Sequence, residues 1–448
     1  MNNNKEFNYS YIYFVAFVAT LGGLNFGFNF SIISGVLPFI TSTFKLDELG
    51  IGIASGSGLF GCVVGSYIAG SLCDNLGRKK TTILSSILLT IGIVASVTSS
   101  GLITIGVYRF IGGVAIGIIS VVAPMFISEI SPAKIRGTLV TFNQFAITIG
   151  ILLGYLAAYF LVNTGADNWR WMLLTSVIPS ILLFVLAFFL PDTPRWLVSK
   201  QKEEKALHVL KKIGTETYAN EEIRDIKSMM SGDQSKVELK ELLQPRIFKI
   251  LMIGIGLALF QQFSGINVVL IYAPNIFEKA GFALSDAMFQ SIIIGTVNFL
   301  FTIVSLLLVD RFGRKTLLLS GTIGAMFSML LLGIAIKLNL SGMLILIAAL
   351  AYVISFSITL GPLLWVVVSE IFPNRVRAQG MSIAVLFMWL ASGIVSFTFP
   401  LLRKWIDISN TILLFACISF IGIFFVWKYI PETKGKSLEQ IEKELMEE

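Results

Sequence analysis

DNLGRK, residues 74–79, returns as DRFGRK at residues 310–315, and this recurrence decides the fold. EISPAKIR, from Glu129 to Arg136, has a mate in EIFPNRVR, from Glu370 to Arg377. The PDT that begins at Pro191 returns as PET at Pro431. The three pairs are offset by 236, 241 and 240 residues. A nearly constant offset shared by unrelated motifs marks an internal repeat, which fixes architecture before any local reading. The chain is therefore two similar halves that run in the same orientation.

Composition gives the solvent. Of 448 residues, 55% are hydrophobic and only 14% charged, with a mean hydropathy of +0.82, which excludes an ordinary water-soluble domain. Apolar stretches long enough to cross about 30 Å of hydrocarbon recur along the whole chain. Approximate spans are 11–39, 50–73, 81–100, 102–128, 138–162, 170–190, 247–277, 287–309, 316–337, 343–369, 379–402 and 410–430. The predicted fold is an all-α membrane protein with about twelve transmembrane helices in two pseudo-symmetric six-helix halves. Residues 1–190 form the first bundle, 191–246 a cytoplasmic linker, 247–430 the second bundle and 431–448 a cytoplasmic tail. Parallel repeats of this kind are a transporter architecture, with a substrate site between the halves near the midplane.

The net charge of +7 does not imply nucleic acid. Most lysines and arginines fall in loops on alternate sides of successive spans, among them Arg78, Lys79 and Lys80, then Arg311, Arg314 and Lys315. The positive-inside rule places those loops, and both termini, in the cytoplasm. The first span is too long and too weakly flanked by basic residues for a cleaved signal. Leu207, Leu210 and Ile213 recur at helical spacing in the linker, which predicts short amphipathic helices there. His208, the only histidine, reads as a surface residue.

Several motifs are decoys. Gly56, Gly58 and Gly61 match a dinucleotide fingerprint but lie inside an apolar span with no preceding strand. Gly61 with Gly65, and Gly113 with Gly117, have the spacing that lets membrane helices approach closely. Cys62, Cys73 and Cys417 form neither a disulfide framework nor a metal set, and read as packing residues. The repeated loops carry acids that positive-inside anchoring leaves unexplained. Asp74 and Asp310 are expected to pair with arginines of neighbouring loops, and Arg78 and Arg314 belong to the same expected gate. Glu129 is expected to pair with Arg136, and Glu370 with Arg377, as a cytoplasmic gate.

Together, DNLGRKK, YRFIGG at Tyr108, EISPAKIRG, PDTPRWL, QQFSGIN at Gln261, VDRFGRKT, GPLLW at Gly361, SEIFPNRVR and PETKGKSL resemble the sugar porter family of the major facilitator superfamily. The resemblance covers nearly the whole chain. It implies transport of a hexose, pentose or related polyol by rocking of two halves about a central site. Carried over by position, Gln144, Gln261, Gln262, Asn267 and Asn298 look like hydrogen-bond partners of the sugar, and Trp365 and Trp389 like the aromatic residues beside it. The chemistry suits those roles, because neutral amides both donate and accept, as hydroxyls do, and an indole offers an apolar face. On an ideal helix Gln262 and Asn267 point ~140° apart, so their joint use requires a break near Gly265. Met388 departs from the family pattern by standing where an amide is common.

GLNFGFNFSIISG, from Gly23 to Gly35, bears on coupling. In proton-coupled sugar porters the motif typically reads FGYD, whose aspartate pairs with the arginine matching Arg109; here Asn29 holds that position. Asn29 cannot carry a proton, and Arg109 is expected to bond to Asn29 and to backbone carbonyls. The expectation is facilitative uniport of a monosaccharide such as glucose across the plasma membrane, by a chain working as a monomer with no cofactor and no metal. The alternatives are proton symport and a non-transporting sugar sensor of the same fold. No nucleophile, base or metal cluster suggests an enzyme.

Overall fold

The computed structural model describes residues 7–231, 239–373, 376–434 and 440, apart from the side chains at 133, 134, 137, 140, 229–231, 239, 240, 306, 310 and 378. The described residues are almost wholly helical. The first group of helices comprises α1 (Tyr9–Phe44), α2 (Glu48–Leu76), α3 (Arg78–Val97), α4 (Leu102–Ile130), α5 (Ala133–Leu161), α6 (Asn168–Thr175) and α7 (Val177–Ala187). Four short helices follow: α8 (Pro194–Ser199), α9 (Glu203–Ile213), α10 (Glu216–Ser231) and α11 (Leu239–Leu242). The remainder are α12 (Pro245–Phe263), α13 (Ile266–Ile271), α14 (Ala273–Lys279), α15 (Leu284–Phe312), α16 (Arg314–Lys337), α17 (Gly342–Ile358), α18 (Leu360–Ile371) and α19 (Arg377–Tyr429).

Eleven apolar stretches among the described residues are long enough to span a bilayer. The last of them, Gln379–Tyr429, has 51 residues, about 77 Å as straight helix, which is too long for one crossing. Asp407 breaks it with φ 65° and ψ 169°, so it makes two crossings and the total is twelve.

Two breaks within single spans trace to proline, which lacks an N–H and crowds the carbonyl four residues earlier. Pro179 stands four residues after Thr175, where α6 ends, and Pro362 four residues after Ile358, where α17 ends. Hydrocarbon cannot satisfy a freed carbonyl, so a neighbouring side chain must. The hydroxyl of Ser305 on α15 donates to the Ile358 carbonyl at 2.6 Å.

Glycine sets the closest approach inside the first group. A Cβ on Gly113 would lie 1.9 Å from the Gly58 carbonyl oxygen, and one on Gly61 2.2 Å from that of Phe110, so α2 and α4 touch backbone to backbone. The would-be dinucleotide glycines are therefore packing residues in the middle of α2. Cys62 and Cys73 are buried in the same region, whereas Cys417 is exposed and is not a packing residue.

The helices of α8–α10 are amphipathic: α9 buries Ala206, Val209, Leu210 and Ile213 and leaves His208 exposed. The start of α1 is tied to it, since Asn8 N–H donates to the Ile213 carbonyl at 2.8 Å.

Across the two groups, α2 packs on α19 and α5 on α15. These contacts concentrate at the end of the molecule where α2 begins, away from the loop of Arg78. Cβ atoms on Gly52 and Gly56 would lie 2.4 and 3.0 Å from Phe397. The Ser55 hydroxyl lies 2.7 Å from the Tyr272 hydroxyl, and both reach the Ser396 carbonyl. Arg403 Nη2 donates to both carboxylate oxygens of Glu48 at 2.9 and 2.7 Å.

The basic face is arranged otherwise, and it corrects the expected pairings. Glu129 accepts from Arg78 at 2.8 Å and from Thr193 at 2.5 Å, not from Arg136. Glu370 repeats this with Arg314 at 3.1 Å and Thr433 at 2.5 Å, not with Arg377. Arg136 and Arg377 turn back on the carbonyls of Ser131 and Phe372, just past the ends of α4 and α18, where unpaired carbonyls and the helix dipole favour a cation. Asp74 is exposed and 3.8 Å from Arg78, one turn away. The Asp310 side chain lies outside the described residues. Every one of these described pairs closes within one group of helices, so none of them bridges the two groups.

Candidate functional site

Between the two groups lies a cavity with about 740 Å³ of empty space, including what is open to solvent. All seven sequence-predicted ligands line it: Gln144 from α5, Gln261 and Gln262 from α12, Asn267 from α13, Asn298 from α15, Trp365 from α18 and Trp389 from α19. Met388 lines it too. The helix break that brings Gln262 and Asn267 together is present. Gly265 has φ 98° and ψ 12°, a left-handed conformation open to glycine, and it separates α12 from α13.

The amides differ in what they already hold. Asn267 Nδ2 donates to Gln262 Oε1 at 3.0 Å and to Ser392 Oγ at 2.6 Å. Gln262 Nε2 donates to Gln261 Oε1 at 3.0 Å, and Gln261 Nε2 to the Leu360 carbonyl at 2.8 Å. This relay ends on backbone beside the proline break of α18. It fixes three amides in orientation, which suits a site that must meet a ligand without reorganising. Gln144 and Asn298 form no side-chain hydrogen bond among the described residues, and they face the cavity from the two groups of helices. Trp389 is buried with its indole N–H unpartnered among the described residues, and its ring stands edge-on to Phe26 with centroids 5.0 Å apart.

Sequence reasoning missed Phe26, Phe30, Thr148 and Ser392, which also line the cavity. Each carried a signal. Thr148 is four residues after Gln144 and Ser392 three after Trp389, so each shares a helix face with a residue already singled out. Phe26 and Phe30 flank Asn29 in the stretch that drew attention to coupling.

Phe26, Phe30 and Trp389 also wall a second cavity, set mostly among the first group of helices and closed on one side by Ile271 and Trp389 of the other, with about 590 Å³ of empty space including what is open to solvent. Asn29 and Arg109 both line it. Arg109 Nε donates to the Ala54 carbonyl at 2.9 Å, as expected of a backbone contact. The expected bond to Asn29 is absent among the described residues. Asn29 instead donates to the Asn25 carbonyl of its own helix at 3.0 Å, the acceptor a short amide finds most readily from within a helix. No carboxylate or histidine lines either cavity.

The cavity at the meeting of two repeated helical groups thus offers neutral amides that both donate and accept, beside flat indole faces. The sequence profile described as Sugar (and other) transporter matches residues 15–445. The chain belongs to this sugar transporter family of the major facilitator superfamily. The transporter is 37% identical to the D-xylose-proton symporter of Escherichia coli K12, over 98% of this chain and 96% of that protein. It is 38% identical to the glucose transporter GlcP of Staphylococcus epidermidis, over 97% of each. It also superimposes on the solved structure of the proton:xylose symporter XylE bound to 6-bromo-6-deoxy-D-glucose with a TM-score of 0.83. That match has 36% identity and covers 98% of the transporter and 100% of the solved chain.

Proposed function

We propose that the transporter moves a monosaccharide, of the hexose class of glucose, downhill across the plasma membrane as a uniporter. The observation that carries the coupling half of this reading is the lining of the two cavities, in which no carboxylate or histidine stands. A proton-coupled carrier needs a titratable group that faces each side in turn, and membrane-embedded acids or histidines usually supply it. Asn29 stands beside the cavity of Arg109 and does not titrate.

In this reading the sugar sits among Gln144, Gln261, Gln262, Asn267 and Asn298, with Trp365 and Trp389 against its apolar face. With the halves pressed together where α2 begins, the site opens toward the basic loops, which are taken as cytoplasmic together with both termini. Parting of Ser55, Tyr272 and Ser396, and of Glu48 from Arg403, opens the other side. A single chain carries the whole site.

Proton symport is the second reading, favoured by the 37% identity to a D-xylose-proton symporter. The test is labelled-sugar uptake into proteoliposomes with and without an imposed pH gradient. Uniport predicts equilibration at the same level in both. Accumulation above equilibrium when the gradient is present overturns it.

A further inference from the structure

Arg109 lies seven residues into α4, about 10 Å along a helix that starts at Leu102, and so sits within the membrane-spanning part of the first group. A guanidinium carries five N–H donors and a permanent charge. One donor, Nε–H, goes to the Ala54 carbonyl. No acidic side chain stands within ion-pair distance of Arg109 among the described residues, and none lines its cavity. A carbonyl dipole satisfies a hydrogen bond but does not neutralise a cation, and charges in this setting ordinarily pair.

Most of the remaining wall is apolar, and Asn29 is among its polar members. The Asn29 amide has two N–H donors, of which one goes to the Asn25 carbonyl, and Tyr108 is a further lining residue. Gly58 stands beside the guanidinium, where a Cβ would meet Arg109 Nη2 in van der Waals contact at 3.4 Å. Donors and one uncompensated positive charge around an open space are the chemistry of an anion site. We infer that the cavity lined by Arg109, Asn29 and Tyr108 binds a small inorganic anion of the chloride class, which acts as the counter-ion of Arg109. Phe26, Phe30 and Trp389 wall this cavity and the amide-lined one alike, so its occupancy bears on the aromatic side of the sugar site.

The experiment is equilibrium binding of radiolabelled chloride to the purified full chain in detergent, with ionic strength held constant by glutamate and with neither sugar nor pH gradient present. The result therefore does not depend on uniport or on the identity of the sugar. The expected result is saturable binding at one site per chain, with an unfolding temperature that rises as chloride replaces glutamate. Asn29→Asp puts a fixed negative charge in the same cavity and is expected to abolish both effects. Arg109→Gln removes the cation and is expected to do the same. Absence of saturable binding to the unsubstituted chain overturns the inference, as does chloride binding that persists unchanged in either variant.

Discussion

Tyr155 of α5 donates its hydroxyl to the Leu270 carbonyl of α13 at 2.6 Å, and that carbonyl is free because the residue four positions on is Pro274. The same device operates across the interface a second time. Pro400 frees the carbonyl of Ser396 in α19, and Ser55 and Tyr272 both donate to it, at 3.1 and 2.6 Å. Where a proline removes a helical hydrogen bond in hydrocarbon, the orphaned acceptor needs a donor from elsewhere. In each case one donor comes from the other group of helices, Tyr155 for Leu270 and Ser55 for Ser396, so a local defect becomes a grip that holds only while the two groups are together on that side.

The grip of Tyr155 is therefore expected to depend on Pro274. Tyr155→Phe removes a neutral hydrogen bond worth about 1 kcal/mol, roughly a fivefold shift in the opening equilibrium. Pro274→Ala restores an N–H that competes for the Leu270 carbonyl. The measurement is maleimide labelling, from the Glu48 side, of a cysteine introduced at Asn298 after Cys62, Cys73 and Cys417 are replaced by Ala. Each substitution is expected to speed labelling by about fivefold, and the pair to do no more than either alone. Labelling rates that multiply in the double variant would show the two residues to be independent.

Much of this was legible in the sequence because lipid is a strict solvent. It forces long helices, so the spans and the repeat could be read directly. It also makes a polar residue in a span conspicuous, but Gln144, Gln261, Gln262, Asn267 and Asn298 are singled out by the resemblance to sugar porters, and the physics of the span adds only that such amides suit a hydroxylated ligand. Phe26 and Phe30 carried no such contrast, since an aromatic residue facing a cavity and one facing lipid read alike. The ion pairs were misassigned for a different reason. Glu129 and Arg136 are near in sequence, but Pro132 intervenes and α5 begins afresh, so the partner of Glu129 comes from the start of α3. Sequence distance is a poor guide to pairing once a chain has turned.

Glu48 and Arg403 join α2 to α19 on the closed side, each about a quarter exposed (25% and 26%). Partial exposure leaves a pair of this kind worth on the order of 1 kcal/mol, and makes it sensitive to salt. Glu48→Gln is expected to raise labelling at the Asn298 position in low salt by up to about fivefold, and the effect is expected to shrink at 1 M salt. Exchanging the charges, with Glu48→Arg and Arg403→Glu together, is expected to restore most of the difference. A double exchange that labels as fast as the worse single variant counts against the pair.

Glu432 gives a pH dependence on the basic face. Burial pushes its carboxyl upward, but the backbone N–H groups of Lys434, Arg314, Lys315 and Thr316 outweigh this and hold it below the ordinary value. Two of these contacts, Arg314 N–H at 2.9 Å and Lys315 N–H at 3.1 Å, cap the start of α16. A carboxyl with a depressed folded pKa stabilises fully above its unfolded value of about 4.3, and loses that contribution as pH falls below it and through the folded value. The unfolding temperature is thus expected to drop with acid below this point, and the drop to be smaller in Glu432→Gln, which is already less stable at pH 7. Equal acid sensitivity in the two proteins would sink the assignment.

The amides of the large cavity divide into those that are bound to protein and those that are not, and this predicts a split between affinity and stability. Gln261 donates to the Leu360 carbonyl and accepts from Gln262, so Gln261→Ala strands two buried partners and is expected to lower the unfolding temperature as well as sugar affinity. Gln144 and Asn298 hold no protein partner among the described residues. Gln144→Ala and Asn298→Ala are therefore expected to leave the unfolding temperature within a degree or so, since nothing inside the protein loses a bond. Each should weaken sugar binding by about three- to tenfold, the loss of one hydrogen bond of about 0.7–1.4 kcal/mol. Calorimetric titration with glucose and xylose, set beside thermal unfolding of the same samples, reads both quantities. If Asn298→Ala destabilises the fold as much as Gln261→Ala does, its amide ties helix to helix and is no sugar ligand.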